Sequence, residues 1–238
     1  MLEKYDKQKI AGCLGFGCLV VVVLFALGGI GAYFGVSSAL KAAAYKYTED
    51  SSRDLKIDFT VEESVAVDDK VRRFTDAVNQ GEEAEPLVLS DRDVNILINS
   101  SLDPLLIEMR ERVRLKFADG KIMSELSLPL DRLGVKDLRG RYFNGDAELN
   151  LAKSEENKMS LNLRNLAANG ANLPPEILSQ IQKRTDYIDR IMSDSRVTRL
   201  TRYLKRFEVV GEQLIIEAKD AESLKKLREA AGGRGLSL

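Results

Sequence analysis

The side chains in this sequence that could carry chemistry are carboxylates. Asp91 and Asp93 stand two residues apart, and adjacent pairs occur at Glu62 and Glu63, Asp68 and Asp69, and Glu155 and Glu156. Two carboxylates can share general acid and base work when they face one substrate. Adjacent residues of a helix do not share a face, however, and the first turn of a helix favours acids because of its macrodipole. We interpret Asp91 and Asp93 as structural, so a carboxylate-based hydrolase is the least favoured of three functional hypotheses.

The composition removes several other kinds of chemistry. The chain contains no His, which is the commonest general base and the commonest metal ligand. Its cysteines, Cys13 and Cys18, lie inside an apolar stretch, so the rest of the chain holds no thiol nucleophile, disulfide or zinc–thiolate site. Lys plus Arg number 36 and Asp plus Glu 37, a balance that argues against a nucleic-acid partner. We expect no catalytic residue, no metal and no cofactor.

A basic segment, RVTRLTRYLKRF at residues 196–207, is the most informative polar feature. Wound as a helix, it gathers cations on one side and apolar residues on the other. The cations are Arg199, Arg202, Lys205 and Arg206. A basic amphipathic helix on a tethered domain can meet anionic lipid head groups. We predict such a contact, with the solvated face of a structural helix as the alternative.

Residues 10–36 form an uncharged stretch that could anchor the chain in a membrane. As a helix, its 27 residues would measure about 40 Å against roughly 30 Å of hydrocarbon. A cleaved signal has an apolar region of only about 7–15 residues, although Ala42, Ala43 and Ala44 fit a signal-peptidase pattern. A pattern like that of lipoproteins ends at Cys13, but in lipoproteins the cysteine follows the apolar region, whereas here most of the apolar residues come after it. The length of the stretch therefore favours a retained transmembrane helix over a cleaved signal or a lipoprotein leader.

The charges beside this stretch predict its orientation. The basic cluster of Lys4, Lys7 and Lys9 begins directly beside it, whereas the basic residues on its other side, Lys41, Lys46 and Arg53, begin farther away and are more widely spaced. The N-terminal tail, residues 1–9, is therefore expected in the cytoplasm, and the body is expected outside, in the periplasm if the source is bacterial.

Small residues inside the stretch are spaced four apart, which lets two membrane helices approach closely. The pairs are Gly28 with Ala32 and Gly31 with Gly35. We predict a helix–helix contact there, with the chain itself or another envelope protein as partner. The alternative is the general frequency of Gly in membrane helices.

The body begins with a predicted stalk over residues 37–55. Thr60 with Glu63, and Ser90 with Asp93, fit capping boxes that open two helices. Two later helices are predicted over residues 174–192, which open with two prolines, and over residues 196–205. The C-terminal tail, residues 221–238, contains a short helix and Gly-rich sequence that we expect to be mobile.

From residue 113 the apolar period changes from 3.6 to 2, which indicates strands. Four strands follow one another, with a tight turn at Asp119 and Gly120, and a last hairpin turns at Gly211. The sequence therefore predicts an α+β fold, in which a transmembrane helix precedes one domain, residues 56–220. That domain contains an antiparallel meander of about six strands, with helices on one face.

The apolar face of such a sheet must be covered, and the helices over residues 174–192 and 196–205 are the expected cover. Among the large residues of that face stand the small residues Ser124, Gly145 and Ala147. They leave room either for a crossing helix or for an apolar ligand.

The order of these segments resembles a family of uncharacterised single-pass bacterial envelope proteins. The resemblance lies in one membrane anchor followed by LVLSDRDVNILINS, VRLKFADGKIMSELSLPLD, LRGRYFNGDAELNL and FEVVGEQLIIEAK. It covers residues 60–219, and the layout is also similar to bacterial tubular lipid-binding-like and AsmA-like domains. The resemblance implies a place in the envelope and the handling of lipid, and it carries over no functional residues.

These observations favour a non-enzymatic, membrane-anchored binding domain outside the cytoplasm. The first hypothesis is the handling of membrane lipid or a lipoconjugate in an apolar groove under the helices. The second is a structural or assembly role, in which the polar sheet face and the anchor recruit other envelope proteins. A filled core would favour the second.

Overall fold

The computed structural model describes residues 45–102, 104–131, 138–153, 159–175, 178–179 and 202–230. Within these ranges the chain is an α+β domain with two antiparallel sheets. The helices are α1 (Val61–Gln80), α2 (Asp91–Ser100), α3 (Pro104–Met109) and α4 (Ala221–Ala230). The strands are β1 (Leu87–Ser90), β2 (Val113–Ala118), β3 (Lys121–Pro129), β4 (Tyr142–Lys153), β5 (Met159–Ala168), β6 (Ala171–Asn172), β7 (Leu204–Val210) and β8 (Gln213–Ala218).

None of the helices within the described ranges combines the length and apolar character needed to cross a membrane. The predicted transmembrane helix, residues 10–36, lies outside those ranges, as does the N-terminal tail.

Both predicted capping boxes are confirmed. The Thr60 hydroxyl accepts a hydrogen bond from the Glu63 amide at 3.2 Å, and the Glu63 carboxylate accepts one from the Thr60 amide at 2.8 Å. Ser90 and Asp93 repeat the arrangement at the start of α2, with both hydrogen bonds at 3.0 Å. The Asp93 carboxylate therefore serves the first turn of a helix, as its position in the sequence predicts.

The larger sheet has the order β2-β3-β4-β5-β6, with every neighbouring pair antiparallel. Asp119 and Gly120 connect β2 to β3 with φ angles of 50° and 74°. These are the left-handed values that a two-residue hairpin requires. The predicted meander is confirmed for its first four strands, and the short β6 extends it.

The last hairpin belongs to a separate three-stranded sheet, in the order β1-β8-β7. In that sheet Leu87 of β1 lies opposite Ile216 of β8. The prediction of a single sheet of about six strands is wrong in this respect. Because β1 has only four residues, its alternation is too short to be recognised, and its partner lies far along the chain.

The buried faces of the two sheets and α2 meet in one hydrophobic core. Leu126, Phe143 and Leu149 are fully buried on the side of the larger sheet that the alternation predicted. Among the described elements, α2 packs against β2, and β7 packs against β2 and β4. Most of the predicted covering helices, residues 174–192 and 196–205, lies outside the described residues.

Gly145 on β4 is packed against an aromatic ring of its own strand. The ring of Phe143 lies over it, and a Cβ placed on Gly145 would stand 2.4 Å from Phe143 Cε1 and 2.9 Å from the Ala167 carbonyl oxygen. The space at Gly145 is therefore filled by Phe143, and neither a crossing helix nor an apolar ligand occupies it.

Gly145→Ala is expected to destabilise the domain by about 1–3 kcal/mol, the usual cost of adding volume to a packed core. Chemical denaturation should be combined with a double-mutant cycle using Phe143→Leu. The smaller side chain at position 143 relieves the clash. The free energy of unfolding of the double variant should therefore fall by less than the sum of the losses in the two single variants. Additive losses would show that the ring does not pack on this glycine.

The segment of residues 45–55, which we call the N-terminal clasp, belongs to the folded domain. Its residues Tyr47, Thr48 and Leu55 are buried. The prediction of a stalk over residues 37–55 is therefore wrong for this segment, and residues 37–44 lie outside the described ranges.

Helix α4 also belongs to the fold. Its Leu224 is buried and packs in a small cluster with Val78 of α1 and Tyr203. The prediction of a mobile tail from residue 221 is therefore wrong for α4, and residues 231–238 lie outside the described ranges.

Candidate functional site

The predicted basic helix does not extend through its last residues. Arg202 and Tyr203 are helical, but Leu204 begins β7, so Lys205 and Arg206 lie on a strand. Leu204, opposite Ala218 of β8, is buried in the core, and pairing to β8 overrides the helical pattern. Arg199 lies outside the described residues. The prediction of one helical face carrying all four cations is wrong, and the contact with an anionic surface stays a prediction.

Acidic groups from β7 and β8 meet the cations of this strand. Arg206 donates from Nε to Glu208 at 2.6 Å and from Nη1 to Glu217 at 3.2 Å. The hydrogen bond that Arg206 donates to Glu208, followed by the one to Glu217, raises the pKa of Arg206. Lys205 forms an ion pair with Glu217 at 3.6 Å. These neighbouring carboxylates therefore offset part of the positive charge that the sequence of this segment carries.

The solvent side of the larger sheet carries cross-strand ion pairs around an exposed methionine. Glu125 on β3 accepts from Arg114 Nε at 2.9 Å and pairs with Lys116 at 2.9 Å. Lys121 pairs with Glu148 of β4 at 2.8 Å. Met123 lies between these pairs on β3. We call these six residues the outer sheet face, and all of them are wholly or partly exposed.

The charges of this face are held in fixed pairs. Burial raises the pKa of Glu125, but the hydrogen bonds from Lys116 and Arg114 outweigh it and lower the pKa overall. The hydrogen bond to Glu148 raises the pKa of Lys121. Glu125 and Lys121 are therefore stabilised in their charged forms, which suits recognition better than proton transfer.

The N-terminal clasp covers the other end of the same side of the sheet. Glu49 and Tyr142 exchange two backbone hydrogen bonds of 2.8 Å, as in an antiparallel bridge. Arg141 donates to the Thr48 hydroxyl at 2.7 Å and forms an ion pair with Asp50.

Asn144 joins the clasp to the sheet. Its side chain is buried and donates to Glu49 at 2.6 Å and to the Ser51 carbonyl at 2.8 Å. Its amide oxygen accepts a hydrogen bond from the Ser127 hydroxyl at 2.8 Å. Arg53 of the clasp reaches Asp146 at 2.9 Å. The buried side chains of Asn144 and Ser127 therefore hold the clasp against β3 and β4.

Asn95 on α2 closes an edge of the larger sheet, a role that the patterns in the sequence did not predict. Its amide donates to the Leu115 carbonyl at 2.7 Å and accepts from the Leu115 amide at 2.8 Å. The carboxamide thereby replaces a neighbouring strand at the middle of β2. The signal in the sequence is an Asn inside the apolar run of α2, where a buried polar group requires partners.

Two of the carboxylates considered first for chemistry have structural partners, and Glu155 and Glu156 lie outside the described residues. Glu63 pairs with Arg92 at 2.7 Å, and Asp93 pairs with Lys70 at 3.1 Å. Across the described part of the chain, no group of three or more Cys, Asp or Glu side chains is placed to hold a metal ion. The small-residue pairs of the predicted membrane helix, Gly28 with Ala32 and Gly31 with Gly35, lie outside that part.

No family model, no curated protein and no solved structure matches this chain. The resemblance to single-pass envelope proteins therefore stays a prediction.

Proposed function

We propose that this chain is a membrane-anchored, non-enzymatic binding domain of the cell envelope, which recruits or assembles other envelope proteins through its outer sheet face. The anchor is the uncharged stretch at residues 10–36. The domain lies on the side of the membrane away from the N-terminal lysines.

The observation that carries this proposal is the set of exposed ion pairs around Met123. Opposite charges held in place on an exposed sheet face complement a partner surface that presents the reverse arrangement of charges. The same charges are costly to bury against acyl chains. An exposed methionine among them offers an adaptable apolar contact at the centre.

The packing of Gly145 supports this choice over the handling of lipid inside the core. The small residues of the buried face were the feature that left room for an apolar ligand, and at Gly145 that room is filled by the Phe143 ring. Lipid handling stays the alternative hypothesis, with the handled molecule a membrane lipid or lipoconjugate.

A photo-crosslinking amino acid placed in the full chain tests the face in cells. At Met123 it should give discrete protein adducts, because this side chain lies at the centre of the outer sheet face. Val65, an exposed apolar residue of α1, is the matched control and should not give those adducts. Identical adducts at both positions, or adducts to lipid alone at Met123, would contradict the proposed face.

Native mass spectrometry of the detergent-extracted chain separates the two hypotheses. We expect the intact chain, beginning before Tyr45, without a stoichiometric lipid. A lipid retained one-to-one would support lipid handling. A mature chain that begins at Tyr45 would show cleavage after Ala44 and remove the anchor from the proposal.

A further inference from the structure

We infer that the end of the larger sheet at which β4 begins faces the membrane surface, so that the domain stands on the membrane by this end. This end comprises residues 138–142 and the turn at residues 169–170, and we call it the proximal end. The inference rests on the membrane anchor proposed above.

The chain enters the domain at the proximal end. The guanidinium of Arg141 lies 4.7 Å from the centre of the Tyr45 ring. Asn169 donates from its side chain to the Lys46 carbonyl at 2.9 Å. With the bridge between Glu49 and Tyr142, these contacts fix the first residues of the clasp beside the start of β4.

The length of chain between the anchor and the clasp limits how the domain can be oriented. Residues 37–44 connect them, and eight residues span at most about 26–29 Å when fully extended. The nine residues of β3 extend the larger sheet by about 30 Å away from the proximal end. The hairpin at Asp119 and Gly120 lies at that distal end, so turning it towards the membrane would require the connection to be almost fully extended, whereas the proximal end can face the membrane without such extension.

The hairpin between β7 and β8 lies at the distal end as well. A Cβ placed on Gly120 would stand 3.5 Å from the Val209 carbonyl oxygen, close to the turn at Gly211 and Glu212. Glu212 is exposed and therefore offers a labelling position at the distal end.

Exposed apolar side chains at the proximal end, and on the segment that leads into β2 near it, offer contacts for a lipid surface. The Glu111 amide donates to Asn99, which places the end of α2 beside the start of β2. Leu102, 81% exposed, and Ile107, 46% exposed, follow in this region, and Tyr45 is 50% exposed. Other exposed apolar residues lie elsewhere, so the short connection carries the inference, and these side chains provide the contact surface.

The test uses the full chain in vesicles of phosphatidylethanolamine and phosphatidylglycerol that carry a quencher on their head groups. Cys13 and Cys18 are replaced by Ala, and a fluorophore is attached to Arg139→Cys at the proximal end or to Glu212→Cys at the distal end. Quenching at position 139 should be at least about twofold stronger, since the two positions differ in height by roughly the length of a nine-residue strand. A Gly–Ser insertion that doubles the length of the connection formed by residues 37–44 should reduce this difference in quenching.

The outcomes separate the orientation from the function. Stronger quenching at position 139, reduced by the insertion, supports the inference. Equal quenching, or stronger quenching at position 212, overturns the orientation while the anchor stands. A difference that the insertion leaves unchanged overturns the short connection as its cause. A chain that does not float with the vesicles overturns the anchor and, with it, the proposed function.

Discussion

Leu149→Asp is expected to abolish the cooperative unfolding transition of the domain. Leu149 is fully buried on β4 opposite β3, and an unpaired carboxylate there costs several kcal/mol. That loss is comparable with the whole stability of a domain, about 5–15 kcal/mol. Leu126→Asp on β3, also fully buried, should behave in the same way. Thermal melts followed by circular dichroism on residues 45–230, which keep the clasp and α4, measure the effect.

Leu102→Asp is the matched control for this prediction. Leu102 is 81% exposed, and surface substitutions usually change stability by less than about 0.5 kcal/mol. The control should therefore melt like the parent. If Leu149→Asp also melted like the parent, the register that places Leu149 in the core would be wrong.

Asn95→Leu is expected to destabilise the domain by about 2–4 kcal/mol. The substitution keeps the branched shape of the side chain, with a somewhat larger volume, but removes its hydrogen bonds to both backbone groups of Leu115. Each buried group left without a partner costs about 1–3 kcal/mol. Chemical denaturation gives the loss directly, and hydrogen exchange should show faster exchange at the Leu115 amide.

Asn99→Ala tests whether the position of the amide matters. Asn99 lies one turn later on α2 and is only partly buried, and it bonds the Asn95 carbonyl and the Glu111 amide. Asn99→Ala should therefore lower the free energy of unfolding by less, about 1 kcal/mol. Equal losses for the two variants would mean that the edge of β2 does not depend on Asn95.

Local features of the sequence determined the parts of the fold in which interacting residues are close along the chain. The capping boxes at Thr60 and Ser90 and the turn at Asp119 and Gly120 were predicted correctly, because each is built from neighbouring residues. The alternation in β2 to β4 placed Leu126 and Leu149 on the buried face for the same reason. A strand of six or more residues shows which face is apolar without knowledge of its partner.

Only the tertiary structure decided which distant segments meet. The pairing of β1 with β8, the clasp on β4 and the Asn95 amide on β2 all join residues far apart in sequence. A periodic pattern reports which side of an element is apolar, but it does not name the element that packs there. For the segment from Leu204 to Arg206 the local pattern was helical, and pairing with β8 prevailed because it buries Leu204 in the core and gives Arg206 two acidic partners.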